Sequence, residues 1–179
     1  MEIERKFLLS NEFFAYPEKI PSMFSYPIQQ GYLISNDNQE VRIRCKNDKD
    51  YYITLKTGSG IIRQEIEYKI DTSTGVNVYH DLQSCAHKIS KTRHVCEGHW
   101  EIDIFEGCIE GLVMAEIEFF SLEAAEALVI PEWLNPYIVR EVTEFKSCKN
   151  KALATMSCIS EFMENYLIEL NNKMLNKTL

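Results

Sequence analysis

The chain has no long apolar run. Its longest uncharged stretch, Ile20 to Asn36, is interrupted by prolines and glutamines, so no membrane insertion is expected. The opening Met1-Glu2-Ile3-Glu4-Arg5-Lys6 is charged where a signal peptide requires an apolar core, and no export is expected. Paired cysteines are also missing. Cys45, Cys85, Cys96, Cys108, Cys148 and Cys158 are scattered with no C-x-x-C, which reads as free thiols in a cytoplasmic protein rather than a disulfide framework. Base is in deficit, with 19 Lys and Arg against 27 Asp and Glu, and a net charge of -8 disfavours a non-specific nucleic-acid surface. No internal repeat, low-complexity tract or Gly/Ser linker divides the 179 residues. One globular domain, with room for a helical appendage, is expected.

What is present is mostly strand. Period-two patterning predicts strands over 2–9, 29–34, 40–45, 51–57, 63–70, 88–95, 99–105, 112–120 and 138–143, and the turn-rich links between many of them suit antiparallel hairpins. A helix is predicted from Ser121 to Leu128, with Ser121 as N-cap and acids in its first turn, and a weaker one from about Thr74 to Cys85. From Asn150 onward, Leu153, Met156, Ile159, Met163, Tyr166, Leu167, Leu170 and Met174 recur at spacings of three or four and predict one long amphipathic helix. Residues 1–149 are therefore read as the main domain, and 150–179 as a helix packed on it or capping it, with a homodimer left open. His80, Cys85, His87, His94, Cys96 and His99 crowd one stretch without any standard zinc spacing, and they read as solvated histidines, with structural zinc the lesser alternative.

The informative signal is the charge on one side of the strands. Alternation sets Glu2, Glu4 and Lys6 against Ile3 and Phe7, and Arg42 and Arg44 against Val41, Ile43 and Cys45. Lys56, Arg63, Glu65, Glu67, Lys91, Arg93, Glu101, Asp103, Glu116 and Glu118 fall in the same way. An open sheet with one solvated face would give alternation too. Ordinary solvated faces mix Ser, Thr and Gln among their charges, however, whereas here Glu-x-Glu occurs three times and Arg-x-Arg or Lys-x-Arg twice. A carboxylate pair at i and i+2 projects to one side about 7 Å apart, as a shared cation site requires. A sheet curled into a closed barrel would pack its apolar side outward against helices and line its lumen with these ions. Hard carboxylates select Mg²⁺ or Mn²⁺, and Arg forks with Lys point charges select phosphate oxygens, so the lumen suits a polyphosphate with divalent metal.

In order, the motifs Glu2-Ile3-Glu4-Arg5-Lys6, Gln30-Gly31-Tyr32-Leu33, Val41-Arg42-Ile43-Arg44, Thr54-Leu55-Lys56, Arg63-Gln64-Glu65-Ile66-Glu67, Lys91-Thr92-Arg93, Trp100-Glu101-Ile102-Asp103, Glu116-Ile117-Glu118 and Glu141-Val142-Thr143 resemble those of the CYTH superfamily, the triphosphate tunnel metalloenzymes. The likeness runs from Glu2 to about Leu153. It implies an α+β, mostly antiparallel fold, an eight-stranded closed barrel forming a tunnel with helices outside. It also implies an enzyme, a divalent-metal-dependent triphosphatase that uses Mg²⁺ or Mn²⁺ on a small triphosphate, most simply inorganic tripolyphosphate. Class IV adenylate cyclase, thiamine triphosphatase and a non-catalytic polyphosphate or nucleotide binder are the alternatives. By the same resemblance Glu2, Glu4, Glu65, Glu67, Asp103, Glu116 and Glu118 are metal residues. Lys6, Arg42, Arg44, Lys56, Arg63 and Arg93 bind phosphate, and Lys91 with Tyr32 forms the catalytic pair. Lys146-Ser147-Cys148-Lys149-Asn150 departs from the pattern, with cysteine where tyrosine is common.

Overall fold

The computed structural model describes residues 3–36, 39–57, 64–82 and 87–176. Nine strands form one sheet: β1 (Ile3–Leu9), β2 (Ser22–Ser35), β3 (Gln39–Lys46), β4 (Asp50–Thr57), β5 (Gln64–Ile70), β6 (Lys88–Cys96), β7 (Glu101–Glu106), β8 (Val113–Phe119) and β9 (Ile138–Glu141). Their order is β5-β4-β3-β2-β6-β7-β8-β1-β9, and every pairing is antiparallel. The α+β class follows the expectation; the eight-stranded closed barrel does not. Among the described residues there are nine strands, and no hydrogen-bonded ladder joins β5 to β9. The last strand is only four residues long and adds to the outer side of β1, while the acids of β5 are answered by bases of β3 and β4.

β2 is far longer than the pattern 29–34 indicated. Its first half, Ser22 to Tyr26, lacks alternation, and Pro27 reads as a strand breaker. The proline is accommodated because β2 pairs β6 along its whole first half, whereas pairing to β3 starts only at Ile28. α2 (Thr72–Leu82) lies over β4, and Gly75 is the contact: a Cβ there would lie 2.3 Å from the Tyr51 ring. α3 (Leu122–Glu126) starts at Ser121, whose hydroxyl accepts from the Ala124 amide at 3.2 Å.

Two apolar clusters flank the sheet. On one face Phe7, Leu9, Ile102, Ile104, Val113, Ala115 and Ile117 pack with Phe13 of α1 (Glu12–Ala15) and with Leu134, Tyr137 and Ile138. That is the outward face the alternation pointed to. The opposite face divides in two. Toward one end, Leu8, Tyr32, Ile89, Phe105 and Met114 are covered by Val142, Phe145, Cys148, Leu153, Phe162 and Tyr166 of the C-terminal segment; toward the other lie the charges. Burying each large side chain of this plug contributes about 1.5–3 kcal/mol.

The expected single C-terminal helix is two: α4 (Asn150–Leu153) and α5 (Ile159–Leu175). Hydroxyls compete with the helical ladder between them. Thr155 Oγ1 donates to the Ala152 carbonyl at 2.7 Å, and the Ser157 amide and hydroxyl both donate to Glu161 Oε2, at 2.7 and 2.6 Å. Among the described residues no helix is long and apolar enough to cross a membrane.

Candidate functional site

The site is the charged half of the inner face, and strand register assembles it. β1 and β8 place Lys6 opposite Glu116 and Glu4 opposite Glu118. β7 then sets Glu101 opposite Glu116, and β6 sets Arg93 opposite Asp103. Because directly opposed residues in antiparallel strands share a face, these seven side chains form one contiguous array. The Glu-Val-Thr segment fixes its edge: the Lys6 amide donates to Thr143 Oγ1 at 3.1 Å, and the Val142 amide donates to the Lys6 carbonyl at 2.8 Å. On the other face Arg5 makes a fork with Glu141, at 2.8 and 2.6 Å, and donates to the Ala125 carbonyl at 3.0 Å.

Asp103, fully buried, is the hub of the array. Arg93 grips it with two hydrogen bonds of 2.7 Å and reaches Glu116 at 2.9 Å and Glu101 besides. The Lys91 ammonium donates to the same Asp103 carboxylate. Lys6 sits 2.7 Å from Glu116 and 3.7 Å from Glu4. Burial works against every one of these charges, and the partners decide the outcome. Lys6 is raised because Glu116 and Glu4 outweigh its desolvation. Glu116 is held well below the usual carboxylate range by Lys6, Lys91 and Arg93 despite burial, and Asp103 is lowered by Arg93 and Lys91. Lys91 and Glu101 go the other way: burial, with Arg93 beside it, brings the Lys91 amine down to about 8, and burial raises the Glu101 carboxyl despite Arg93.

A second array lies on β3, β4 and β5. Arg42 is 3.4 Å from Glu40 and 3.7 Å from Glu65; Lys56 is 2.6 Å from Glu65; Arg44 is 3.9 Å from Glu67, which accepts from Thr54 at 2.9 Å. Arg44 is lowered by burial and by the like charges of Arg42 and Arg93. The Arg42 Nε is buried without a hydrogen-bond partner. β2 lies between the arrays and carries Gln30 and Tyr32, both buried. Burial raises the Tyr32 phenol, which stays neutral.

The structure thus brings together Lys6, Lys91, Arg93, Asp103 and Glu116 in one array and Arg42, Arg44, Lys56, Glu65 and Glu67 in the other, with Tyr32 between. Glu4 and Glu118 lie at the exposed end, the Glu4 side chain 43% accessible. Glu2 and Arg63 lie outside the described residues. Sequence reading passed over Gln30, Glu40 and Thr54, all on this face. Each sits two residues from a residue that was read, before Tyr32, Arg42 and Lys56 respectively, so the same i, i+2 row would have found them. A separate cleft of about 670 Å³, lined by Arg140, Thr143, Phe145, Leu170 and Lys173 among others, has none of the array residues in its wall.

The carboxylates differ in what they can offer a cation. Asp103 and Glu116 are engaged by buried bases, Glu65 by Lys56 and Glu67 by Thr54, and among the described residues no three acids converge as a cage. Glu4 and Glu118, side by side in register and solvated, fit an ion held by one or two carboxylates and completed by phosphate oxygens and water, the habit of Mg²⁺.

No family model matches the chain. Among curated proteins it is 36% identical to an inorganic triphosphatase of Nitrosomonas europaea over 158 residues, which is 86% of this chain and 96% of that protein. It is also 36% identical to an inorganic triphosphatase of Acetivibrio thermocellus over 147 residues, 79% of this chain and 85% of that one. Among solved structures, an inorganic triphosphatase superposes with a TM-score of 0.59 at 33% identity, covering 88% of this chain and 97% of its own. A conserved protein from Pyrococcus furiosus gives 0.51 at 26% identity, over 71% and 83%.

Proposed function

The chain belongs to the inorganic triphosphatase family and hydrolyses a triphosphate, and from that premise we propose that its substrate is inorganic tripolyphosphate, cleaved with a divalent metal on the concave charged face. The observation that carries this reading is the row of buried cations on one face. Lys6, Arg42, Lys91 and Arg93 are each at most 8% accessible, Arg44 stands among like charges, and the Arg42 Nε has no partner. Taking such cations out of water costs several kcal/mol per ion unless anions answer them; carboxylates of the same face answer them in part, and a chain of three phosphates with its metal would take up the donors left over, the Arg42 Nε among them.

In this reading Arg42, Arg44 and Lys56 bind one side of the phosphate chain, and Lys6 and Arg93 the other. Arg63, outside the described residues, extends the first group. Glu4 and Glu118, with Glu116, hold Mg²⁺ or Mn²⁺, and Glu2, outside the described residues, is counted with them; Asp103, Glu65 and Glu67 orient the bases that they pair with. The ion, when bound, supplies charge to the phosphoryl oxygens. Lys91 lies at the hub next to the attacked phosphorus. Its lowered amine can take a proton from the attacking water, or, protonated, stabilise charge in the transition state. Tyr32, neutral, donates a hydrogen bond to a phosphate oxygen.

A panel of inorganic tripolyphosphate, ATP and thiamine triphosphate, each with Mg²⁺ and with Mn²⁺, tests the proposal. Orthophosphate from tripolyphosphate at the highest kcat/KM is expected. Faster release of cyclic AMP or thiamine diphosphate would replace tripolyphosphate with that substrate, and tight binding without release from any of them would replace the enzyme with a binder.

A further inference from the structure

Gln30 is 1% accessible, sits on the charged face, and none of the roles above uses it. It lies between the two arrays. Arg44 Nε donates to Gln30 Oε1 at 3.3 Å, and Gln30 Nε2 donates to the Tyr32 hydroxyl at 2.7 Å. A guanidinium can only donate, so the amide oxygen must face Arg44 and the amide nitrogen must turn to Tyr32. With Gln30 donating to that oxygen, the phenolic hydrogen is directed away from the amide, and no acceptor for it is found among the described residues.

We propose that Gln30 is a positioning residue for hydrolysis: its amide orders Tyr32 as a hydrogen-bond donor toward the phosphate and ties that donor to Arg44. The inference rests on the function proposed above. An apolar residue of the same size would leave the phenol free to rotate. A carboxylate in its place would accept the phenolic hydrogen and withdraw it from the substrate.

The test is steady-state kinetics of Gln30→Glu, Tyr32→Phe and the double variant on tripolyphosphate. Each single change is expected to lower kcat by about 10²-fold, the loss typical of one transition-state donor, with KM changed less than about threefold. The double variant should fall no more than about twofold below either single, because both changes remove the same donor. Should Gln30→Glu not fold, Gln30→Met takes its place, with kcat down about tenfold and the same non-additivity. A second readout avoids turnover: with metal chelated, tripolyphosphate is expected to shift the Tyr32 ζ-carbon resonance in the native chain and not in Gln30→Glu.

Native kcat in Gln30→Glu, losses that multiply in the double variant, or an unchanged kcat in Tyr32→Phe would each overturn the role of Gln30 while leaving the triphosphatase standing. Absence of tripolyphosphate hydrolysis in the native chain would remove the proposed substrate and this inference together.

Discussion

At the scale of single residues, position was legible and partnership was not. The i, i+2 rows place Glu4 with Lys6, Arg42 with Arg44 and Lys91 with Arg93 because a strand turns alternate side chains the same way. Which acid each base takes depends on strands far apart in sequence: Arg93 reaches Asp103 and Glu101 on β7 and Glu116 on β8, and no spacing rule contains that. The consequence is that the acids are not equivalent. Glu116 and Asp103 are locked by buried cations, so removing either leaves a base unpaired and endangers the fold. Glu4 is largely solvated and only loosely paired to Lys6, at 3.7 Å. Glu4→Gln is therefore expected to lower Mg²⁺- or Mn²⁺-dependent orthophosphate release by 10²-fold or more, on the order expected for lost metal-ion stabilisation, with the melting temperature nearly unchanged. Parallel kinetics and thermal melts check it; a variant that unfolds, or that turns over normally, would remove Glu4 from the metal site.

At the scale of elements, strands were read well where one face is apolar and the other charged, and poorly at β2, whose first half has neither. The C-terminal segment shows the other limit. Its apolar period is continuous through Leu153 and Ile159, but Thr155 and Ser157 offer local hydrogen bonds that end one helix and start the next. Cys148, which departs from the CYTH pattern, is buried in the plug with Phe145 and Phe162. Glu169 of α5 ties that helix to the turn at Lys146–Cys148, accepting from the Lys146 and Ser147 amides at 2.9 and 3.0 Å and from the Ser147 hydroxyl at 2.8 Å. Burial alone would raise its pKa; the Ser147 and Lys146 amides hold it below the usual carboxylate range. A carboxyl lowered on folding stabilises fully above its unfolded pKa, and the contribution disappears as pH falls through the folded one. Glu169→Ala is expected to cost about 2 kcal/mol in urea unfolding at pH 7, and that difference should shrink below pH 4. A difference that persists unchanged into acid would contradict the ionised role.

At the scale of the whole molecule, alternation fixed the two faces but not the closure. Apolar side chains on β1, β7 and β8 and charged ones opposite follow from the pattern, whereas closing the sheet depends on whether its two edge strands meet, which rests on their lengths and on the segments covering them. Among the described residues the nine-stranded sheet is not closed by hydrogen bonds, and ion pairs reach across an intervening strand, Arg93 to Glu116 and Arg42 to Glu65. One end of this face is covered by the C-terminal segment, and Glu4 and Glu118 lie exposed away from it. A chain of net charge -8 that sets Lys6, Arg42, Arg44, Lys56, Lys91 and Arg93 together on this face should take up a polyanion there. Calorimetric titration of tripolyphosphate into the native chain and into Arg44→Met, with metal chelated so that nothing turns over, measures this directly. The account expects one site per chain in the native protein and affinity weaker by about 10- to 100-fold in the variant, the value of one charge-assisted contact. Equal affinity in the two proteins would place the triphosphate somewhere other than the concave face.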